Sequence, residues 1–134
     1  MIRLSLIGAI AIGGALGAVA RFGTALALAS IAPQSMVAGT LAANCAGSFL
    51  IGLIAMWVIR RTPSPLITGF LVTGFCGGFT TFSVFSLETV LLAISGHWAG
   101  AGIYVLVSIL SWLCAVWLGW RAGSLLFAPR AIES

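Results

Sequence analysis

The stretch GFCGGFTTFSVFSLET, Gly74 to Thr89, decides how this chain is read. It lies inside a long apolar segment, yet it carries a glycine pair, five hydroxyls and a glutamate. Its phenylalanines stand at 75, 79, 82 and 85. On a helix, Phe79, Phe82 and Phe85 share a face, with Phe75 one turn before. Each glycine weakens a helix by about 1 kcal/mol relative to alanine, so Gly77-Gly78 predicts a break. A break at bilayer depth frees carbonyls, which is tolerable only where protein, water or an ion satisfies them. A phenylalanine stripe alone reads as lipid-facing or packing bulk. Ring edges are electropositive, however, and edges beside Thr and Ser hydroxyls offer a path to a small anion.

The surrounding composition sets the class. Of 134 residues, 61% are hydrophobic and only 6% charged, with mean hydropathy +1.22. Such a chain is an integral membrane protein before any motif is read. All six basic residues are Arg, and the acids are Glu88 and Glu133. The arginines are scattered at the ends of apolar spans, so the net charge of +4 does not point to nucleic acid. Cys45, Cys76 and Cys114 sit singly within apolar runs and read as buried, inert thiols. Arg3 and the ALALAS run imitate a secretory signal, but the apolar run is long for one and Arg21 interrupts it. The segment is read as a first, uncleaved span.

A helix needs about 20 mostly apolar residues to cross the hydrocarbon core. Four stretches qualify, within one domain covering residues 1–134. They run over about 4–31, 36–59, 66–95 and 98–120. Pro33-Gln34, Arg60-Arg61-Thr62-Pro63-Ser64-Pro65 and Ser95-Gly96-His97 mark short connections. Four spans put both termini on one side. Arg3, Arg60, Arg61, Arg121 and Arg130 fall on or near it, which predicts cytoplasmic termini. Small residues recur at packing intervals: Gly13 and Gly17; Gly39, Ala43 and Gly47; Gly69, Thr73 and Gly77; Gly119 and Gly123. Four helices this short enclose little volume, so oligomerisation is expected.

Polar residues within spans need a role or a partner. Arg21 reads as an interfacial anchor or as a fixed positive charge at a vestibule. Asn44 reads as an interhelical hydrogen bond or as a donor that replaces water around an anion. Glu88 reads as an interfacial residue with a partner, or as a gate or proton-linked group.

Together GGALGAVARF (residues 13–22), GTLAANCAGSFLIG (39–52) and GFCGGFTTFSVFSLET (74–89) resemble the Fluc/CrcB family of fluoride channels. The resemblance implies an all-α membrane protein whose third helix is broken mid-membrane. It implies an antiparallel, dual-topology dimer with two fluoride pores in the cell (inner or plasma) membrane. A structural sodium ion is implied at the dimer centre, held by the backbone carbonyls of Gly77 and Thr80. Asn44, Phe82 and Phe85 match pore positions, Arg21 the vestibule, and Thr40, Thr81 and Glu88 a polar track. Tyr104 and Ser108 match pore-facing positions on the fourth span. One turn after Ser108, where a second serine is expected, stands Trp112, with Ser111 beside it.

The implied partners are fluoride, lipid and a second copy of the chain. The arginine bias admits an oppositely oriented homologue in place of that copy. The rival reading is a small multidrug-type exporter of cationic compounds, which needs an intramembrane acid; Glu88 is the one candidate. No nucleotide, haem or metal-cluster motif points to an enzyme.

Overall fold

A computed structural model describes residues 2–31 and 37–128. The expected start of the second span at Met36, the Pro33-Gln34 connection, Arg130 and Glu133 lie outside the described residues. Within them the chain is helical, and four helices are long and apolar enough to cross a membrane.

The first span is Ile2–Ile31 and the second Ala38–Arg61. The second ends where Thr62 turns left-handed (φ 42°) and its amide closes on Val58 O. Pro65 then opens the third span behind Ser64, whose hydroxyl accepts from the Ile67 amide. This span passes from Pro65–Thr68 into a π-helical stretch, Gly69–Cys76, and a last turn, Gly77–Phe79. Helix resumes at Phe82–Ile94. Gly96, at φ +85°, makes the reversal into the fourth span, Trp98–Leu126.

Three expectations need correction. The fourth span does not stop at Trp120. It continues to Leu126, because Arg121 is carried on the helix with its guanidinium 5.8 Å over the Trp117 ring. The backbone does not leave helical geometry at the glycine pair: Gly77 holds φ −64°, ψ −36°. The extended residues are Thr80 (φ −86°, ψ 156°) and Thr81 (φ −149°, ψ 124°). Finally, Phe79 does not share a face with Phe82 and Phe85, since two extended residues reset the helical phase between them. Phe79 stacks on Phe75 at 5.8 Å, and Phe82 pairs with Phe85 at 5.5 Å.

The glycines act in close packing. The second span packs most extensively on the fourth, and the first on the third. A Cβ at Gly78 would run into the Gly14 carbonyl, and one at Gly119 into the Phe49 carbonyl. These two backbone-to-backbone seams hold the bundle, as small residues do in lipid. The opposite faces carry exposed apolar side chains such as Leu4, Leu26, Ile103 and Leu125, suited to lipid or to another chain.

Candidate functional site

The extended pair Thr80-Thr81 organises the site. Thr81 Oγ1 caps the resumed helix by accepting from the Val84 amide at 3.2 Å. From the second span, Asn44 reaches across and takes both backbone groups of Thr81. Its Nδ2 donates to Thr81 O at 2.8 Å, and its Oδ1 accepts the Thr81 amide at 2.7 Å. In a continuous helix that amide would close on Gly77 O, four residues back. Likewise the Val84 amide, diverted to Thr81 Oγ1, would close on Thr80 O. The carbonyls of Gly77 and Thr80 are thus without their helical partners. Arg21 Nε donates to the adjacent Gly78 O at 3.3 Å, from a partly buried position on the first span. Arg21 therefore serves the interruption directly, as well as placing a positive charge beside it.

The three residues expected to form one polar track fall into two clusters. Thr81, with the pore candidate Asn44, makes the first. Glu88, only 8% exposed, is the hub of the second. Thr40 Oγ1 donates to Glu88 Oε1 at 2.8 Å, and Tyr104 OH donates to Glu88 Oε2 at 2.6 Å. Three spans are tied there by one carboxyl group. Thr40 and Asn44 are one turn apart on the second span, so the clusters lie at successive levels of one helix face.

The aromatic residues connect them. Phe85 is buried; its ring lies 5.2 Å from Tyr104 and 4.9 Å from Trp112, the latter edge-on at 74°. Phe82 is 72% exposed. Ser108 is fully buried. Gly77 is exposed, and a Cβ there would meet nothing closer than Val72 O at 4.0 Å.

An open groove of about 210 Å³ is lined by Asn44, Ser48, Ile51, Thr80, Thr81, Phe82 and Trp112. It brings together Asn44, Thr80, Thr81 and Phe82; Arg21, Thr40, Gly77, Phe85, Glu88, Tyr104 and Ser108 do not line it. Ser48 was missed in the sequence, although it follows Asn44 by one helical turn, which was the available signal. Each polar backbone group of Thr81 is consumed by Asn44, while Nδ2 of Asn44 keeps a second hydrogen. The groove can therefore offer the spare Asn44 N–H to an anion.

Comparison with known proteins agrees in direction. Residues 8–120 match the family model described as CrcB-like protein, Camphor Resistance (CrcB). The chain is 41% identical over 122 residues to the fluoride-specific ion channel FluC of Hydrogenovibrio crunogenus, covering 90% of this chain and 92% of that one. It is 44% identical over 112 residues to the protein of the same name from Azotobacter vinelandii, covering 83% and 90%. With the FluC of Gloeobacter violaceus the identity is 38% over 127 residues, covering 94% of this chain and all of the other.

Proposed function

The chain belongs to the CrcB-like family, and on that premise we propose that it is a fluoride-selective ion channel, with passive export of cytoplasmic fluoride as its role. It is a multi-pass membrane protein and not an enzyme. The observation that carries the reading is the grip of Asn44 on Thr81. It occupies the Thr81 carbonyl and leaves a spare amide hydrogen at the groove. Fluoride holds its water tightly, so a selective path must present close donors in its place. Neutral donors do so without trapping the ion, as a buried cation would.

The residue roles follow. Asn44 supplies its second Nδ2 hydrogen, and Thr81 its hydroxyl. Phe82 and Phe85 present ring edges, with Tyr104 and Ser108 along the fourth span. Arg21 raises anion concentration at the mouth, and Thr40 with Glu88 fixes the polar track. The exporter reading is disfavoured by the Glu88 geometry: both carboxyl oxygens already accept from hydroxyls of neighbouring spans.

The reading extends to an antiparallel dimer with two pores and a broken third helix at mid-membrane. Gly77 is exposed, with open space before it, which fits a face awaiting a second copy. A sodium ion between two such faces fits the donor set. The Gly77 and Thr80 carbonyls have lost their helical partners, and two copies would offer four neutral oxygens. Such a set suits a monovalent cation better than a divalent one. Bound there, the ion would satisfy those carbonyls and place positive charge between two anion paths. The arginine bias leaves an oppositely inserted homologue as the other partner consistent with the fold.

Purified protein in liposomes tests the main claim. Fluoride should leave far faster than chloride, without nucleotide or redox cofactor. Equal rates for the two anions would overturn the selectivity.

A further inference from the structure

At the end of the bundle where the second and fourth spans stop, a second groove opens, apolar and of about 210 Å³. Its walls are Leu53, Ile54 and Trp57 of the second span, Leu71 of the third and Phe127 at the close of the fourth. Leu53, Trp57 and Arg61 recur every four residues and form one ridge. The groove therefore runs to the last turn of the second span, where Arg60 and Arg61 stand exposed. From Arg61 inward to Leu53 is about 12 Å along the helix axis. Neither arginine has an acid to pair with: Glu88 is the sole acid among the described residues, and it is buried against Thr40 and Tyr104. We propose that this groove binds an anionic phospholipid, with an acyl chain against Leu53, Ile54 and Leu71 and the phosphate at Arg60 and Arg61. The site shares no residue with the groove around Asn44 and holds whichever ion the protein carries.

The chemistry suits such a lipid at each level. Leu53, Ile54 and Leu71 present hydrocarbon only, and at this depth a polar occupant would lose its water without gaining a partner. Trp57 stands half-buried one turn inside the arginines. It has an apolar ring for the groove and an N–H donor for the ester level of a lipid, the pairing that favours tryptophan at the headgroup boundary. Guanidinium groups bind phosphate through paired N–H bonds, and cations at a span end favour anionic over zwitterionic lipid. Leu71 belongs to the π-helical stretch Gly69–Cys76, so a chain seated there also covers the irregular part of the third span. A second copy is the poorer occupant. Among the described residues it brings no free carboxylate to the two arginines, because its Glu88 is engaged in the same way.

Trp57 is itself the reporter. Bromine on an acyl chain quenches a tryptophan that it touches, and the quenching seen in the wild type but not in Trp57→Phe isolates the groove. The full chain is placed in phosphatidylcholine vesicles, and acyl-brominated phosphatidylglycerol or phosphatidylcholine is titrated in. The brominated phosphatidylglycerol should quench the Trp57 component at about one fifth of the mole fraction that the phosphatidylcholine needs, the selectivity of roughly one basic residue at a membrane surface. Arg60→Gln combined with Arg61→Gln should make the two lipids equal. Arg61→Gln alone should narrow the gap, and it decides the matter if the double variant does not fold. Arg121 lies over Trp117 and not at the groove, so Arg121→Gln should keep the preference. Equal quenching by the two lipids in the wild type, or a preference that survives loss of the arginines, overturns the proposal. Absence of Trp57 quenching by either lipid would show the groove covered by a second copy, and overturns it too. So does a preference abolished by inorganic phosphate but not by chloride at the same ionic strength, which would assign the arginines to the free anion.

Discussion

Asn44 holds both backbone polar groups of Thr81, at 2.8 Å and 2.7 Å, across a sequence separation of 37 residues. One side-chain amide thus takes the place of the two helical bonds that an extended Thr81 gives up.

Asn44→Leu should abolish fluoride flux. The substitution leaves the Thr81 N–H and C=O without partners, at about 1–3 kcal/mol for each group, and removes the spare donor at the groove. Asn44→Asp restores the acceptor but sets a carboxylate oxygen against Thr81 O, so it should fail as well. Flux assays paired with circular dichroism check this; retained flux in a helical Asn44→Leu protein would assign Asn44 to packing alone.

The Glu88 hub should tolerate an amide better than a truncation. In Glu88→Gln, Thr40 or Tyr104 can turn its hydroxyl to accept from the new amide. In Glu88→Ala both buried hydroxyls lose their acceptor, at about 1–3 kcal/mol for each. The melting temperature in detergent should therefore fall in the order wild type, Gln, Ala. An alanine variant as stable as the wild type would mean that the hub does not hold the three spans together.

Neighbouring glycines should differ sharply. A Cβ at Gly78 collides with the Gly14 carbonyl, so Gly78→Ala should destabilise the chain by about 1–3 kcal/mol. A Cβ at Gly77 meets open space within the chain. Gly77→Val should accordingly leave the single chain folded and lose assembly, together with any dependence of flux on sodium. Thr80→Ser should be mild, since the hydroxyl bond to Cys76 O is kept and only the methyl group against Gly47 goes. Crosslinking and flux with sodium replaced by a large organic cation provide the measurements.

Antiparallel pairing should be visible by labelling. In a background lacking Cys45, Cys76 and Cys114, a cysteine placed at the C-terminus should react from both sides of the membrane. Reaction from one side only would indicate a fixed orientation, as the arginine bias favours, and would call for an oppositely inserted partner.

The sequence by itself determined that four helices are long and apolar enough to cross a membrane, because hydropathy and length act locally. Pro63, Pro65 and Gly96 bound the helices through their own dihedral preferences, whatever packs nearby. The motif residues also announced a site, since polar groups in hydrocarbon need partners. Which partners they take was settled by the tertiary structure alone. Thr40 meets Glu88 over 48 residues, and Glu88 meets Tyr104 over 16. Arg21 meets Gly78 over 57. No local propensity encodes such pairings; they exist because glycine seams bring the first span onto the third and the second onto the fourth. The interruption shows the same division. The glycine pair marked the right turn of the right helix, but Gly78 is spent on close approach to Gly14 and stays helical. The backbone departs at Thr80 and Thr81 instead, where Asn44 from another span supplies the bonds that an extended residue loses.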